Sequence, residues 1–148
     1  MLEEAGHVVL ATDLIDYGHD QNFGRVDFLE LGHAPGRVEV IVTNPPYKLA
    51  DEFVRHALIL PEIRRVVMLL RLGFLEGKKR SDLIDKGRLA RVYPFANRLP
   101  MMHRDGWTGP RSRSAMPIAW FVWDADHVGP PTIKRIVWKP EENIDARR

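Results

Sequence analysis

The apolar residues of this chain fall into short β-rich runs that are separated by polar or proline-containing segments. Residues 38–43 are nearly unbroken valine and isoleucine, as expected for a parallel strand buried on both faces, and the run stops at a double proline. In residues 49–60 the apolar side chains recur at helical spacing until Pro61 ends the pattern. The order strand, turn, helix therefore predicts a β-loop-α unit.

Other runs predict further elements on both sides of this unit. A strand is predicted at residues 7–12, a brief apolar stretch follows at 26–29, and strands are predicted at 66–70, 89–93, 118–123 and 133–138, with a short helix capped by Ser81 at 81–86. Because residues 124–132 leave no room for a long helix, the last two strands are predicted to pair antiparallel. The pattern indicates one α/β domain over residues 1–148, with a mostly parallel sheet and an antiparallel edge hairpin.

Composition narrows the class of protein. A chain of 148 residues fits a single domain, and the absence of cysteine excludes disulfides, thiolate nucleophiles and cysteine-ligated zinc. No apolar run reaches the roughly 18 residues of a membrane span, and the acidic start does not resemble a signal peptide, so a cytoplasmic protein is expected. The six histidines show no paired spacing, and no metal site is predicted.

The double proline lies in the tetrapeptide Asn44-Pro45-Pro46-Tyr47, which would fall at the carboxyl end of a strand, where α/β sheets bind ligands. Each proline holds the residue before it extended, which makes the turn stiff. The Asn44 side chain and the Pro45 carbonyl can both accept hydrogen bonds, and two acceptors match one amino group. Tyr47 offers a flat face for stacking a base. A plain rigid strand-to-helix turn is the alternative.

With these residues in place, the chain resembles the amino-group DNA methyltransferases, and specifically the short phage-type enzymes that methylate adenine N6. The resemblance rests on Ile41-Val42-Thr43 followed by the tetrapeptide and extends over nearly the whole length. It implies an incomplete Rossmann-like class I methyltransferase fold and methyl transfer from S-adenosylmethionine to a flipped adenine in DNA. The tetrapeptide would activate the amine for direct in-line attack.

The resemblance also implies where the cofactor and the base bind. Asp13, with Asp16 in reserve, would bind the cofactor's ribose, and Asp27 would contact the amino group of its adenine. Phe28 and Asn44 are also predicted to bind the cofactor. An aspartate at a strand end is also a common turn former. Residues 66–74 resemble a strand with its active-site loop, and residues 119–123 resemble a late aromatic motif that holds the flipped base. From that motif Phe121 is predicted to contact nucleic acid, although the alternation of a strand also allows its aromatic residues to be core.

A basic segment lies between the predicted strands at residues 89–93 and 118–123. It contains Arg98, His103, Arg104, Arg111 and Arg113. Of these, Arg104, Arg111 and Arg113 are predicted to contact DNA, and a solvated surface loop is the alternative.

The family's first motif, a glycine-rich turn that holds the methionine end of the cofactor, has no counterpart here. Residues 1–6 look like the tail of the helix that follows that turn, so the family's first strand, which lies mid-sheet between the second and fourth, is expected to be absent and to leave a gap. The chain could be a fragment, its remaining strands could re-pair, or a second chain could complete the sheet. A fragment or truncated gene is favoured, and weak or no cofactor binding by this chain alone is expected. Methylation of RNA or of a protein glutamine, and a catalytically dead nucleic-acid-binding remnant, remain alternative functions.

Overall fold

Seven strands and two helices make up the described part of the chain, which in this computed structural model comprises residues 2–15, 22–97, 99 and 116–138. The strands are β1 (Ala11–Asp13), β2 (Asn22–Arg25), β3 (Val40–Thr43), β4 (Arg65–Arg71), β5 (Leu89–Pro94), β6 (Ile118–Asp124) and β7 (Thr132–Ile133). The helices are α1 (Ala50–Ile59) and α2 (Ser81–Ile84), and 3-10 turns cover Phe28–Glu30, Tyr47–Leu49, Leu72–Leu75 and Lys78–Arg80. No helix in these ranges is long and apolar enough to cross a membrane. The chain is thus mixed α/β, as predicted.

Five strands form the main sheet in the order β3-β4-β6-β5-β7. β3 and β4 run parallel with Thr43 opposite Met68, so their carboxyl ends meet at the same edge. β6 lies antiparallel to both β4 and β5, and β7 pairs parallel with β5. The sheet therefore carries a parallel pair at each side of a central antiparallel strand.

This order corrects the prediction of a mostly parallel sheet that ends in an antiparallel hairpin. The sheet is mixed, and the last two strands do not pair with each other. The physical reason is that β6 has both edges occupied, by β4 on one side and β5 on the other, so no free edge remains for the next strand. Residues 125–131 instead lead the chain to the far edge of β5, where β7 pairs over two residues.

The core lies on one face of the main sheet, under α1. Alternate residues of β4 and β6 point to that face because side chains alternate along a strand. The fully or nearly fully buried members are Val54 and Ala57 of α1, Val66, Met68 and Leu70 of β4, Leu89 and Val92 of β5, and Ala119, Phe121 and Trp123 of β6. The Trp123 indole N–H donates to the Leu83 carbonyl at 3.0 Å, which fixes α2 on this face without an unpaired polar group.

β3 is less buried than its apolar sequence predicts. Val40 and Val42 are 43% and 45% exposed. Ile41, whose side chain points to the other face of the strand, packs against the core. β3 lies at the end of the strand order and, among the described residues, pairs only with β4. The prediction of a strand buried on both faces was therefore wrong for this strand.

The N-terminal strands form a separate two-stranded parallel sheet, β1-β2. The strand predicted at residues 7–12 is reduced to Ala11–Asp13, and the stretch at 26–29 follows β2 as a loop and 3-10 turn. Phe28 connects this region to α1, since its ring stacks on Phe53 with centroids 5.0 Å apart. The Ser81 cap is also corrected, because α2 has no side-chain cap hydrogen bond and the Ser81 hydroxyl donates to the Lys78 carbonyl.

Candidate functional site

The Asn-Pro-Pro-Tyr turn, residues 44–47, leaves the carboxyl end of β3 and leads into the 3-10 turn before α1. Pro46 is extended, with φ −55° and ψ 124°, and its carbonyl accepts the Leu49 N–H at 2.8 Å. Pro45 is buried, whereas Asn44 and Tyr47 are exposed. The turn therefore has the stiff strand-to-helix form that its two prolines predict.

Two acceptors of this turn have no hydrogen-bond partner within the described part of the chain. The side chain of Asn44 makes no hydrogen bond there, and the Pro45 carbonyl receives none from the backbone or from a side chain. Both oxygens thus have lone pairs to offer to a ligand.

A cavity of about 320 Å³ opens beside the turn. It is lined by Tyr47, Lys48, Ala50, Asp51, Arg71, Gly73, Phe74 and Arg80. These residues come from the start of α1, the end of β4 and the loop after β4, which meet because β3 and β4 are parallel. Neither Asn44 nor Pro45 lines the cavity. The sequence-predicted turn and the loop at residues 72–74 are therefore brought to one edge of the sheet.

Arg71 covers the Tyr47 ring in this cavity. The Arg71 guanidinium carbon lies 4.7 Å from the ring centroid, a cation–π contact. Arg80 makes a similar contact with Phe74 at 4.6 Å and also donates to the Glu76 carbonyl at 2.9 Å. The cavity thus has cationic side chains placed over aromatic faces.

Asp51 is the one carboxylate that the described residues contribute to the cavity wall, and its neighbours neutralise it. Its Oδ2 accepts from Arg55 Nε at 2.9 Å, and its Oδ1 lies 3.4 Å from Arg80 Nε, within ion-pair distance but outside hydrogen-bond geometry. Arg55 also bonds Asp82 and the Lys79 carbonyl. Hydrogen bonds to Asp82 and Asp51 raise the pKa of Arg55, and the bond from Arg55 lowers the pKa of Asp82. The network ties α1 to α2 beside the cavity.

The two predicted cofactor carboxylates lie at the carboxyl ends of neighbouring strands, where each forms a local turn. Asp13 Oδ1 accepts from Ile15 N–H at 3.0 Å, and Asp27 Oδ1 accepts from Leu29 N–H at 3.0 Å as the cap of a 3-10 turn. Both residues are exposed. One oxygen of each is therefore used by the backbone, and the other has no hydrogen bond within the described residues. Asp16 lies outside them.

The predicted aromatic contacts divide between core and surface. Phe121 is 0% exposed and stacks on Trp123 with centroids 5.9 Å apart, so it does not reach the cavity. Phe28 is half-buried between Phe53 and His56, with its ring edge-on to the histidine. Tyr47 alone of the predicted aromatic contacts lines the cavity, at 38% exposure.

Sequence reasoning named neither Arg71 nor Arg80 as a site residue, although Arg71 lies within residues 66–74, which resemble a strand with its active-site loop. The signal that could have found Arg71 is its place directly after the apolar run of β4, the strand that runs parallel to β3. Arg104, Arg111 and Arg113, with the rest of the basic segment, lie outside the described residues.

A larger cavity of about 540 Å³ lies at the opposite end of β4, between the end of α1 and the start of β5. Its walls are largely apolar. Two of its arginines, Arg55 and Arg64, are bonded to Asp82 and Asp126, whereas Lys86 and Arg88 have no ion pair among the described residues. Asp124 lies at the rim of this cavity. The hydrogen bond from the Asp126 backbone N–H lowers the pKa of Asp124, and the hydrogen bond from the Arg65 side chain lowers it further. Its paired arginines thus hold neighbouring elements of the fold together.

In the ranges that the structure describes, no group of three or more histidine, aspartate or glutamate side chains is placed to hold a metal ion. No protein-family model matches this chain, and no curated protein matches it significantly.

Proposed function

We propose that this chain carries the amino-group half of an S-adenosylmethionine-dependent methyltransferase domain that modifies adenine N6 in DNA. The observation that carries the proposal is the Asn-Pro-Pro-Tyr turn at the carboxyl end of a parallel strand. Its two unengaged acceptors, Asn44 and the Pro45 carbonyl, belong to the same turn as Tyr47, which lines the cavity.

The chemistry follows from what two acceptors do to an aromatic amine. The lone pair of an exocyclic amine is delocalised into its ring, and two hydrogen bonds accepted from its N–H groups draw that pair back to nitrogen. When bound, S-adenosylmethionine supplies a sulfonium methyl group, so that the nitrogen–methyl bond forms as the methyl–sulfur bond breaks. The nitrogen, now cationic, then loses a proton to solvent. No general base is required from the chain.

The residues assigned to the cofactor are compatible with it. Asp13 and Asp27 lie at the carboxyl ends of neighbouring parallel strands, and each keeps one carboxylate oxygen without a hydrogen bond among the described residues. Carboxylate oxygens accept from ribose hydroxyls and from an adenine amino group. They would hold the nucleoside part of the cofactor.

The arrangement of the strands also supports the proposal. β1 and β2 pair with each other, β3 begins the main sheet, and no strand pairing joins the two sheets in the described residues. The break falls between β1 and β3, where the resemblance expects the family's first strand. A Rossmann-like methyltransferase sheet interrupted at this point accounts for the separation.

A nucleic acid is favoured over a protein glutamine as the substrate. Among the described residues the cavity wall carries Lys48, Arg71 and Arg80 against one carboxylate, and that carboxylate is already neutralised. An excess of cations suits a phosphodiester and not a neutral amide side chain.

The test is methyl transfer by the full chain from tritiated S-adenosylmethionine at saturating concentration. Adenine-containing DNA, the same sequence as RNA, adenine-free DNA and a glutamine peptide would be compared. We expect label in adenine-containing DNA alone. Asn44→Ala should lower the rate by about 100-fold, on the scale of one hydrogen bond aimed at developing charge. Asn44→Asp keeps an acceptor oxygen and should retain more activity.

Label in RNA or in the peptide in place of DNA would overturn the assignment of substrate. No label in any substrate, together with salt-dependent DNA binding, would favour the catalytically dead remnant. That alternative has its own support in the separation of the two sheets.

A further inference from the structure

Arg71 differs from the arginines near the sheet that form ion pairs. Arg55, Arg64 and Arg65 each donate to a carboxylate. Within the described residues Arg71 has no carboxylate partner, and the contact that its guanidinium makes is with the Tyr47 ring. Its charge is thus available to an anion.

The position of Arg71 follows from the register of the two parallel strands. Thr43 lies opposite Met68, so the end of β4 reaches beyond the end of β3, beside the turn that carries Tyr47. Both side chains line the same cavity, with Lys48. A cavity of about 320 Å³ is at the lower end of the range for small-ligand sites, of the size for one nucleotide and not a duplex.

We propose that Arg71 is a nucleotide-binding residue that occupies the Tyr47 face in the free protein and binds a phosphate of the target nucleotide when a base replaces it. The inference rests on the proposed function for its assignment of the base to Tyr47. An exposed cation–π contact changes the equilibrium constant between the contacting and the separated side chains by about 2- to 5-fold. Stacking of a base on an aromatic ring changes a binding constant by about 5- to 150-fold. The base stack is therefore the stronger contact, and the base displaces the guanidinium.

The displaced guanidinium is suited to a phosphate. It is planar, always charged, and able to donate two parallel hydrogen bonds to phosphate oxygens. Arg80, the other arginine of the cavity, is held by Asp51, Phe74 and the Glu76 carbonyl and is less able to move. Arg71 is therefore the arginine of this cavity that can follow the ligand.

The first experiment measures binding of a labelled adenine-containing single strand to the full chain over a range of salt concentrations. We expect Arg71→Gln to weaken binding by about 10-fold and to lower the slope of log affinity against log salt by about 0.7, one phosphate contact on a single strand. Arg71→Lys should restore the slope. Arg37→Gln, which removes an exposed charge before β3, at the opposite end of the strand, should leave the slope unchanged.

The second experiment compares deoxyadenosine with its 5′-monophosphate and 3′-monophosphate, by chemical-shift titration. We expect the wild type to prefer at least one monophosphate and Arg71→Gln to lose that preference. An unchanged slope and preference in Arg71→Gln, or no phosphate preference in the wild type, would overturn the inference. Neither readout requires methyl transfer, so an inactive chain would contradict the proposed function and leave this result standing.

Discussion

β6 and the Asn-Pro-Pro-Tyr turn both carry an aromatic residue predicted to contact a flipped base, and the structure treats the two differently. Phe121 of β6 is 0% exposed and stacks on Trp123 in the core. Tyr47 is 38% exposed and lines a cavity. The residue type is similar in the two cases, so the difference lies in the position of each residue within its element.

β6 is the central strand of a five-stranded sheet, and its alternate side chains face α1. A large side chain at those positions contributes to the core, whatever its chemistry. The turn lies at a sheet edge where two parallel strands end, and its second proline holds Tyr47 at the start of a 3-10 turn. An aromatic residue is thus a candidate for ligand contact when it follows a strand, and a candidate for the core when it lies within one.

The largest expected effect is on folding and belongs to Phe121. Phe121→Ala removes a fully buried ring that contacts Trp123 and Phe74, and it should lower the free energy of unfolding by about 3–5 kcal/mol. Urea denaturation measures the loss. Trp120→Ala, on the opposite and half-buried face of the same strand, should cost less. Equal stability of Phe121→Ala and the wild type would break the comparison.

Tyr47→Ala should show the reverse pattern. Its free energy of unfolding should stay within about 1 kcal/mol of the wild type, because the ring is partly exposed and has a single cation–π partner within the described residues. Methyl transfer should fall by about 10- to 100-fold, the magnitude of one base stack. Tyr47→Phe keeps the flat face and should retain activity. A fully active Tyr47→Ala would remove Tyr47 from the site.

The three central strands could be predicted from the sequence, whereas the bounds of β1, β2 and β7 and the pairing of the last strands could not. β4, β5 and β6 lie within one residue of the predicted runs, because an unbroken apolar run has few other ways to be buried. The partner of β7 depends on which strand edges remain free once β4 and β5 flank β6. That information is in the assembled sheet and not in the nine residues that join the last two runs.

The site also contains features that the sequence could predict and features that it could not. The turn was predictable because two prolines after a strand fix both its place and its stiffness. Arg71 was not, since its contact with Tyr47 arises from the register between β3 and β4. For Asp13 and Asp27 the turn interpretation and the ligand interpretation use different oxygens of one carboxylate, and the sequence cannot separate them.

Phe28 is half-buried, between the buried Phe121 and the exposed Tyr47, and its ring stacks on Phe53 at 5.0 Å. Asp27 caps the 3-10 turn that begins at Phe28, and its substitution is expected to have the smallest effect. Asp27→Ala removes the acceptor for the Leu29 N–H and should lower the free energy of unfolding by about 0.5–1 kcal/mol, whereas Asp27→Asn keeps a capping oxygen and should match the wild type. Thermal unfolding of the two variants measures the difference. Equal stability of the alanine variant would show that the Phe53 stack alone holds Phe28, and that the carboxylate is free to serve a ligand.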